Sequence, residues 1–319
     1  MKTKVRLAAM AMILTGLLAG IFHTDVMASA VTPTISSISQ SGNTDKSITV
    51  CWNVENAASI QVYVKDLSLP KDQQVFNRVA TVRAFSYTIT GLAPGNKYDI
   101  QIIAINGENN KLTATKTLYG ARTSLSNMGA LYQKKWDTNE GKVTVEWEQM
   151  KAADGYEYMF ENEKETKVLA QGSIGNTEKP SMKLNVAEGN IYKFSVRAFI
   201  QDGSKKNYTA WSSIWCIAQA QVKSVVKNKG KLTIKWKKVK GATGYDVYVS
   251  TGPQVGYKKV KSVGKKTRSV TIKKVGKKKI SKKKKWYVCV MTRKGNSDSG
   301  AAFYYDSATG GKAAHEFLR

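Results

Sequence analysis

Apolar and polar residues alternate along most of this chain with a period of two. Stretches such as 48–52, 143–147 and 232–236 carry an apolar side chain at every second position and end on a tryptophan. A period of two places the apolar side chains on one face of an extended strand, so each stretch predicts a strand with one buried and one hydrated face. Glycine, asparagine and aspartate separate the stretches, which predicts turns between strands rather than helices.

The alternating pattern occurs as three repeats. Their tryptophans, Trp52, Trp147 and Trp236, lie 95 and 89 residues apart. Later in each repeat an aliphatic residue precedes an aromatic residue by six positions. These pairs are Leu92 and Tyr98, Val186 and Tyr192, and Ile280 and Trp286. About seven short strands in roughly 90 residues are typical of an all-β sandwich, so the sequence predicts an all-β chain of tandem immunoglobulin-like sandwiches.

These repeats resemble fibronectin type III domains. The shared features are the tryptophan of the second strand, Gly-Tyr at the start of the third strand, and the Leu-x-Pro-Gly-x-x-Tyr spacing of residues 92–98. The resemblance covers residues 31–308 and implies a tyrosine corner in the first two repeats, where the phenol bonds to the backbone. Trp286 replaces the corner tyrosine in the third repeat, so we expect that bond to be missing or made differently. Residues 236–245 look most like the fibronectin-like modules of exported bacterial proteins.

The N-terminal residues predict export. Basic residues precede an apolar run of 16 residues from Leu7 to Phe22, and small residues follow at 28–30. This pattern indicates a cleaved signal peptide, because a membrane anchor needs about 20 apolar residues. We therefore predict a secreted or cell-surface protein. Its predicted organisation is a signal peptide at 1–30, fibronectin type III-like domains at 31–123, 124–220 and 221–308, and a tail at 309–319.

The chain is strongly basic, and the third repeat carries most of the charge. The 319 residues contain 51 Lys and Arg against 23 Asp and Glu, a formal net charge of +28. Residues 221–319 contain 27 Lys and Arg against 4 Asp and Glu, a net charge of +23. A run of lysines surrounds Ile280, which we expect to be buried while the lysines stay in solvent. The predicted anion-binding lysines are Lys277, Lys278, Lys279, Lys282, Lys283, Lys284 and Lys285.

Lysines at this density indicate an anionic partner, because their mutual repulsion would be relieved on binding. Lysine is a hydrated point charge, which favours diffuse adhesion over sequence-specific nucleic-acid recognition. For an exported protein the candidate partners are anionic cell-wall polymers, acidic polysaccharide, anionic lipid headgroups and extracellular nucleic acid. A solvated surface that only aids solubility is the alternative interpretation. Further lysines of the third repeat are Lys235, Lys237, Lys258, Lys259, Lys261, Lys265 and Lys266.

The composition argues against an enzyme. The chain contains two histidines and three cysteines, and only His315 follows the predicted signal peptide. No nucleotide-binding or metal-binding motif is present, so we expect no catalytic residue, cofactor or metal. The cysteines Cys51, Cys216 and Cys289 fall in three different predicted domains and are expected to be isolated thiols, with intermolecular pairing as the alternative.

Two tryptophans suggest a second type of partner. Trp211 and Trp215 are four residues apart, so in a strand they share one face and could stack on sugar rings. Burial against the core or a domain interface is the other interpretation. The sequence therefore predicts an exported, non-enzymatic binding or spacer protein that docks through its basic third domain on anionic envelope or matrix polymers. The alternative is a structural module that binds a protein or a neutral glycan through its first two domains.

Overall fold

The fold is all-β, as the alternation predicts. The computed structural model describes residues 31–106, 112–253, 255–281, 283–300, 303–308 and 314–316. The predicted signal peptide, Lys282 and most of the predicted tail lie outside these residues. Two compact units make up the chain, one ending at Ser126 and the other beginning at Asn127. Over the described ranges no helix is long and apolar enough to cross a membrane. In the first unit a short 3-10 turn at Lys71–Gln73 lies between two strands.

The first unit is a sandwich of two antiparallel sheets. The strand orders are β1-β2-β5 and β4-β3-β6-β7. Trp52 lies in the core between them with 2% of its surface exposed, and its indole N–H donates to the Ala84 carbonyl at 3.0 Å. The strands are β1 Thr34–Asn43, β2 Ser47–Glu55, β3 Ser59–Asp66, β4 Asn77–Val82, β5 Ser86–Thr90, β6 Lys97–Asn106 and β7 Leu112–Arg122.

The second unit begins with another sandwich, hereafter the second sandwich. One sheet has the order β12-β9-β8, and the other has the order β11-β10-β13 with β14 and β15 both paired to β13. The buried Trp147 contacts Tyr156 and Phe194, at ring-centre distances of 5.4 and 5.8 Å. The strands are β8 Leu131–Asp137, β9 Lys142–Trp147, β10 Gly155–Asn162, β11 Val168–Gly175, β12 Ser181–Asn185, β13 Tyr192–Asp202, β14 Lys205–Tyr208 and β15 Ser212–Cys216.

The remaining strands form the third sandwich. Its sheets have the orders β16-β17-β20 and β19-β18-β23-β25-β26, with β24 paired to β23 and a separate β21-β22 hairpin. Trp236 is buried at 5.5 Å from the Tyr245 ring. The strands are β16 Val222–Asn228, β17 Lys231–Trp236, β18 Gly244–Ser250, β19 Lys258–Gly264, β20 Ser269–Ile272, β21 Lys274–Val275, β22 Lys278–Lys279, β23 Tyr287–Lys294, β24 Ser297–Asp298, β25 Phe303–Asp306 and β26 Ala314–Glu316.

The predicted tyrosine corners are confirmed in the first two sandwiches, and the third makes its corner contact differently. Tyr98 and Tyr192 are buried, and each hydroxyl accepts a hydrogen bond of 2.8 Å from the backbone N–H five residues earlier. Trp286 occupies the corner of the third sandwich, where its indole N–H donates to the Ser281 carbonyl at 3.3 Å. The third corner therefore keeps a side-chain bond to the backbone but reverses the direction of donation.

The second and third sandwiches share an interface within the second unit. Gln133 is 1% exposed, and its Nε2 donates to the carbonyl oxygens of Ile217 at 3.0 Å and Ser299 at 2.6 Å. Its Oε1 accepts from the Ile217 N–H at 2.9 Å. The amide of one residue in β8 is therefore bonded both to the segment that joins the sandwiches and to the third sandwich itself.

Ionic and aromatic contacts add to this interface. Lys294 Nζ lies 2.6 Å from Glu163 Oε1 and 5.3 Å from the centre of the Trp215 ring. The backbone N–H of Trp215 donates to Ser297 Oγ at 2.9 Å, and the Trp215 ring packs against the core of the third sandwich. Because hydrogen bonds, an ion pair and apolar packing all cross the boundary, we expect the two sandwiches to behave as one body.

Two glycines of the third sandwich allow this interface to be tested. Gly300 has φ +61°, and a Cβ at this position would overlap the Gln133 carbonyl oxygen. Gly295 has a similar φ of +59° but open space around it. We predict that Gly295→Ala lowers the free energy of unfolding by about 1–2 kcal/mol, the cost of a left-handed alanine. Gly300→Ala should cost roughly 1–3 kcal/mol more, because the interface must also shift.

Urea unfolding followed by tryptophan fluorescence measures both variants. Equal losses for Gly295→Ala and Gly300→Ala would show that the close approach of Gln133 does not constrain the interface.

Candidate anion-binding tip of the third sandwich

The connection between β20 and β23 carries the predicted anion-binding lysines. It folds back on itself as the β21-β22 hairpin, whose turn contains Gly276 at φ +58°. Glycine suits this position because a side chain is strained at positive φ. The pairing sets Lys274 directly opposite Lys279. Like charges facing each other across a strand pair repel. Val275 of the same hairpin is buried in the core of the third sandwich and opposes this repulsion.

Two buried residues hold this connection in place. Ile280 is 4% exposed and Trp286 is 2% exposed, and both belong to the core of the third sandwich. The backbone N–H of Ile280 donates to the Lys273 carbonyl at 3.1 Å, and the backbone N–H of Trp286 donates to Ser307 Oγ at 3.0 Å. The expectation that Ile280 is buried among exposed lysines is therefore confirmed.

The described lysines around these two residues are all exposed. They are Lys277, Lys278, Lys279, Lys283, Lys284 and Lys285. Lys282, the remaining predicted site residue, lies outside the described residues. In the described part of the chain, none of the six has a carboxylate within ion-pair distance. The predicted site is thus a group of uncompensated ammonium groups on a fixed backbone.

The turn between β16 and β17 packs against the same connection. Lys227 Nζ donates to the Lys284 carbonyl at 2.9 Å. Gly230 lies in the turn, and a Cβ at this position would be 3.7 Å from the Ile280 carbonyl oxygen, within van der Waals contact. Two segments that are far apart in sequence therefore form one surface.

This turn adds two exposed lysines, Lys229 and Lys231, that the sequence reasoning did not assign to the site. The sandwich topology explains why these two lysines lie beside the lysine connection. β17 pairs antiparallel with β20, with Leu232 opposite Ile272, so the start of β17 must lie beside the end of β20. We call the combined surface the basic tip. It consists of Lys229, Lys231, Lys274, Lys277, Lys278, Lys279, Lys283, Lys284 and Lys285.

The basic tip and the interface with the second sandwich lie at opposite ends of the third sandwich. β23 begins at Tyr287, next to Trp286 and the tip, and ends at Lys294, which contacts Glu163 of the second sandwich. A strand of eight residues is roughly 25 Å long. The preceding sandwich therefore leaves the tip uncovered.

Asp246 forms ion pairs in the half of the third sandwich that is nearer the interface. The buried Asp246 carboxylate is 3.3 Å from Lys259 Nζ and 3.2 Å from Arg293 Nε. The hydrogen bond to Asp246 raises the pKa of Lys259, and the charge of Asp246 adds to this effect. Asp246 lies in β18 two residues after Gly244, which pairs with Arg293. The compensated charges are thus at the end of the sandwich away from the tip.

Trp211 and Trp215 have different surroundings. Trp211 is 41% exposed, and the Arg197 guanidinium lies between its ring, at 4.5 Å, and the Tyr208 ring, at 3.6 Å. Trp215 is partly buried at the interface, beneath Lys294. The structure therefore leaves Trp211 accessible on one side and uses Trp215 to join two sandwiches, and it does not form an open platform from both rings.

Glu157 connects the groups around Arg197. Its carboxylate accepts hydrogen bonds from Arg197 Nη2 at 2.8 Å, Lys206 Nζ at 3.1 Å and Tyr208 Oη at 2.8 Å. Burial raises the pKa of Glu157, but these three donors together outweigh burial and lower the pKa to about 2. The network holds the aromatic and basic side chains of this surface in place.

The described residues include no group of three or more His, Cys, Asp or Glu side chains that could hold a metal ion. Cys51, Cys216 and Cys289 form no disulfide with one another, and Cys289 Sγ accepts a hydrogen bond from Gln219 Nε2 at 3.3 Å. Cys216 and Cys289 are buried, and burial raises the pKa of the Cys216 thiol, which makes it a poor nucleophile.

Comparison with known proteins identifies one domain by sequence. The model of the fibronectin type III domain family matches residues 32–119, so the chain contains a fibronectin type III domain. Domains of this family are commonly extracellular binding or spacer modules and are generally non-enzymatic. No curated protein matches the chain.

Solved structures with similarity to the chain include two from chicken. The FN1–FN3 domains of CNTN1 are 13% identical, with a TM-score of 0.34, and the match covers 85% of this chain and 97% of that one. A two-domain fibronectin type III segment of tenascin is 14% identical, with a TM-score of 0.39, and the match covers 57% of this chain and 97% of that one.

The Glu157 network predicts a pH dependence of stability. A pKa lowered from 4.5 to about 2 stabilises the fold above pH 4.5, and this contribution is lost as the pH falls toward 2. We expect the wild-type chain to be more stable than Glu157→Gln at pH 7, with the difference shrinking between pH 4.5 and pH 2. Urea midpoints measured across this range test it.

Glu188→Gln is the control for this prediction, because Glu188 is exposed and has no ion pair among the described residues. A difference between wild type and Glu157→Gln that stays constant down to pH 2 would contradict the role assigned to the network.

Proposed function

We propose that this chain is an exported, non-enzymatic binding and spacer protein whose third sandwich docks electrostatically on anionic envelope or matrix polymers. The observation that carries the proposal is the basic tip, where exposed lysines from two segments meet with no carboxylate in ion-pair distance among the described residues. Uncompensated like charges raise the free energy of the unbound protein, and an anionic partner lowers it.

The backbone of the tip supports binding rather than solubility alone. A solubilising surface only needs charges that are spread over the protein. Here Ile280 and Trp286 hold the lysine segment on the core, and the turn before β17 is hydrogen-bonded to it through Lys227. The lysines are thus concentrated in one place, and part of the backbone that carries them is already held on the core before binding, which favours binding of a multivalent anion.

The position of the tip supports a spacer role for the preceding sandwich. Because the second sandwich contacts the opposite end, the tip faces outward along the third sandwich. The contacts of Gln133 and Trp215 hold this arrangement. A rigid pair of domains with binding groups at one end can hold the rest of the chain at a distance from the polymer.

Removal of charge at the tip tests the proposal. We predict that the variant Lys283→Gln, Lys284→Gln and Lys285→Gln binds polygalacturonate about 100-fold more weakly at low salt. This estimate takes about 1 kcal/mol for each lysine near an anionic surface. Fluorescence anisotropy of labelled polymer measures the affinity, and binding of the wild-type chain should weaken as salt is added.

The matched control is Lys261→Gln, Lys265→Gln and Lys266→Gln, which removes the same charge from exposed lysines of β19 and the turn after it. Equal losses in the two variants would mean that net charge, and not the tip, governs binding, and would overturn the proposal. Retention on a neutral polysaccharide at high salt, lost in Trp211→Ala, would favour a neutral glycan partner instead.

A further inference from the structure

We infer that the basic tip selects its partner by linear charge density, and that Lys229 and Lys231, at the turn into β17, form part of the binding surface. This inference rests on the proposed function and specifies its partner. The occupant is a single flexible polyanion chain whose charges are more closely spaced than about 7 Å, the distance at which two unit charges in water repel by about RT.

The composition of the tip favours recognition of charge spacing. Every charged residue in it is lysine, and none is arginine. An ammonium group is a compact, hydrated point charge, while bidentate recognition of a phosphate or carboxylate needs the planar arginine fork. A lysine surface therefore responds to the number and spacing of negative charges more than to the chemistry of the anionic group.

The pairing of the β21-β22 hairpin favours closely spaced anionic groups. Lys274 and Lys279 face each other across β21 and β22, and no described carboxylate lies within ion-pair distance of either. An anionic group placed between them would convert a repulsive pair into two attractive contacts. Neighbouring lysines on the same hairpin, Lys277 and Lys278, would then need a second anion close to the first. A chain with widely spaced charges cannot supply it.

The contact between two segments extends the surface beyond the hairpin. The contacts from Lys227 to Lys284 and from Gly230 to Ile280 place the turn before β17 against the lysine connection. A polymer bound along the hairpin side only would leave the lysines of this turn without a counter-charge. We therefore expect the chain to cross both segments.

Closely spaced charges also make binding sensitive to salt in a measurable way. A polymer with charges inside the 7 Å limit holds counterions, and each ammonium contact releases some of them. For nucleic acids the slope of log affinity against log salt changes by about 0.7–0.9 for each contact. The slope therefore counts the lysines in contact with the chain.

The variant Lys229→Asn with Lys231→Gln tests the turn. Asparagine is chosen because residue 229 has φ +44°, a conformation that asparagine tolerates. With fully charged polygalacturonate we expect the affinity to fall about 10- to 30-fold, from the loss of two lysine contacts. The salt slope should become shallower by about 1.5. The control, Lys265→Gln with Lys266→Gln, should change the slope little.

The outcomes of this experiment separate the two proposals. If the turn variant matches its control while the variant of Lys283, Lys284 and Lys285 loses binding, the inferred role of the turn is wrong and the proposed function stands. If both tip variants match their controls, both proposals fail. Circular dichroism of each variant confirms that the loss is not caused by unfolding.

Methyl esterification of polygalacturonate tests the selectivity for charge density. Each sugar carries one carboxylate, so esterifying half of them at random doubles the mean charge spacing without changing the backbone. We expect the half-esterified polymer to bind at least tenfold more weakly per remaining charge. Long-chain polyphosphate should bind at least as tightly as the fully charged polysaccharide, because its anionic groups are at least as closely spaced.

Three results would overturn the charge-density inference. One is an affinity that falls only in proportion to the remaining carboxylates. Another is a strong preference for one anionic group at equal spacing. The third is tighter binding to vesicles of anionic lipid than to either polymer, which would mean that the tip docks on a membrane surface instead.

Discussion

Burial of Ile280 and Trp286 holds together a segment that its own charges would push apart. Two lysines about 7 Å apart in water repel by about 0.6 kcal/mol, and salt reduces this further. Full burial of one large apolar side chain contributes about 1.5–3 kcal/mol. Two such residues on the core of the third sandwich therefore outweigh several repulsive contacts at the surface. The lysines can be dense because the residues beneath them are apolar, and the Trp286 indole adds a hydrogen bond to the Ser281 carbonyl.

The interface between the second and third sandwiches gives the basic tip its direction. Gln133 forms hydrogen bonds to the joining segment and to the third sandwich, and Lys294 adds an ion pair with Glu163. All these contacts lie at the end of β23 that is distant from the tip. The basic tip and the contacts with the second sandwich therefore lie about one strand length apart, at opposite ends of β23. This separation lets a packed junction, whose Lys294 charge is paired with Glu163, coexist with a surface whose charges remain available to a partner.

The cations around Trp211 have a carboxylate partner, unlike the lysines of the basic tip. Here Arg197 is placed between two aromatic rings, and Glu157 accepts hydrogen bonds from Arg197, Lys206 and Tyr208. Both cations of this surface are paired with Glu157 of the same sandwich, so their charge is partly compensated and these contacts stabilise the fold. At the tip no such neighbours exist among the described residues, and the attraction is directed outward.

Local periodicity was sufficient to predict the strands, the buried tryptophans, the corner contacts and the burial of Ile280. Each of these depends on which face of a strand a side chain occupies, and a spacing of two or six residues encodes that directly. Two features of the surface could not be obtained this way. Lys229 and Lys231 lie beside the lysine connection because β17 pairs with β20. Trp215 is partly buried because the second and third sandwiches pack against each other. Both arise from contacts between residues distant in the chain, for which alternation in one strand carries no information.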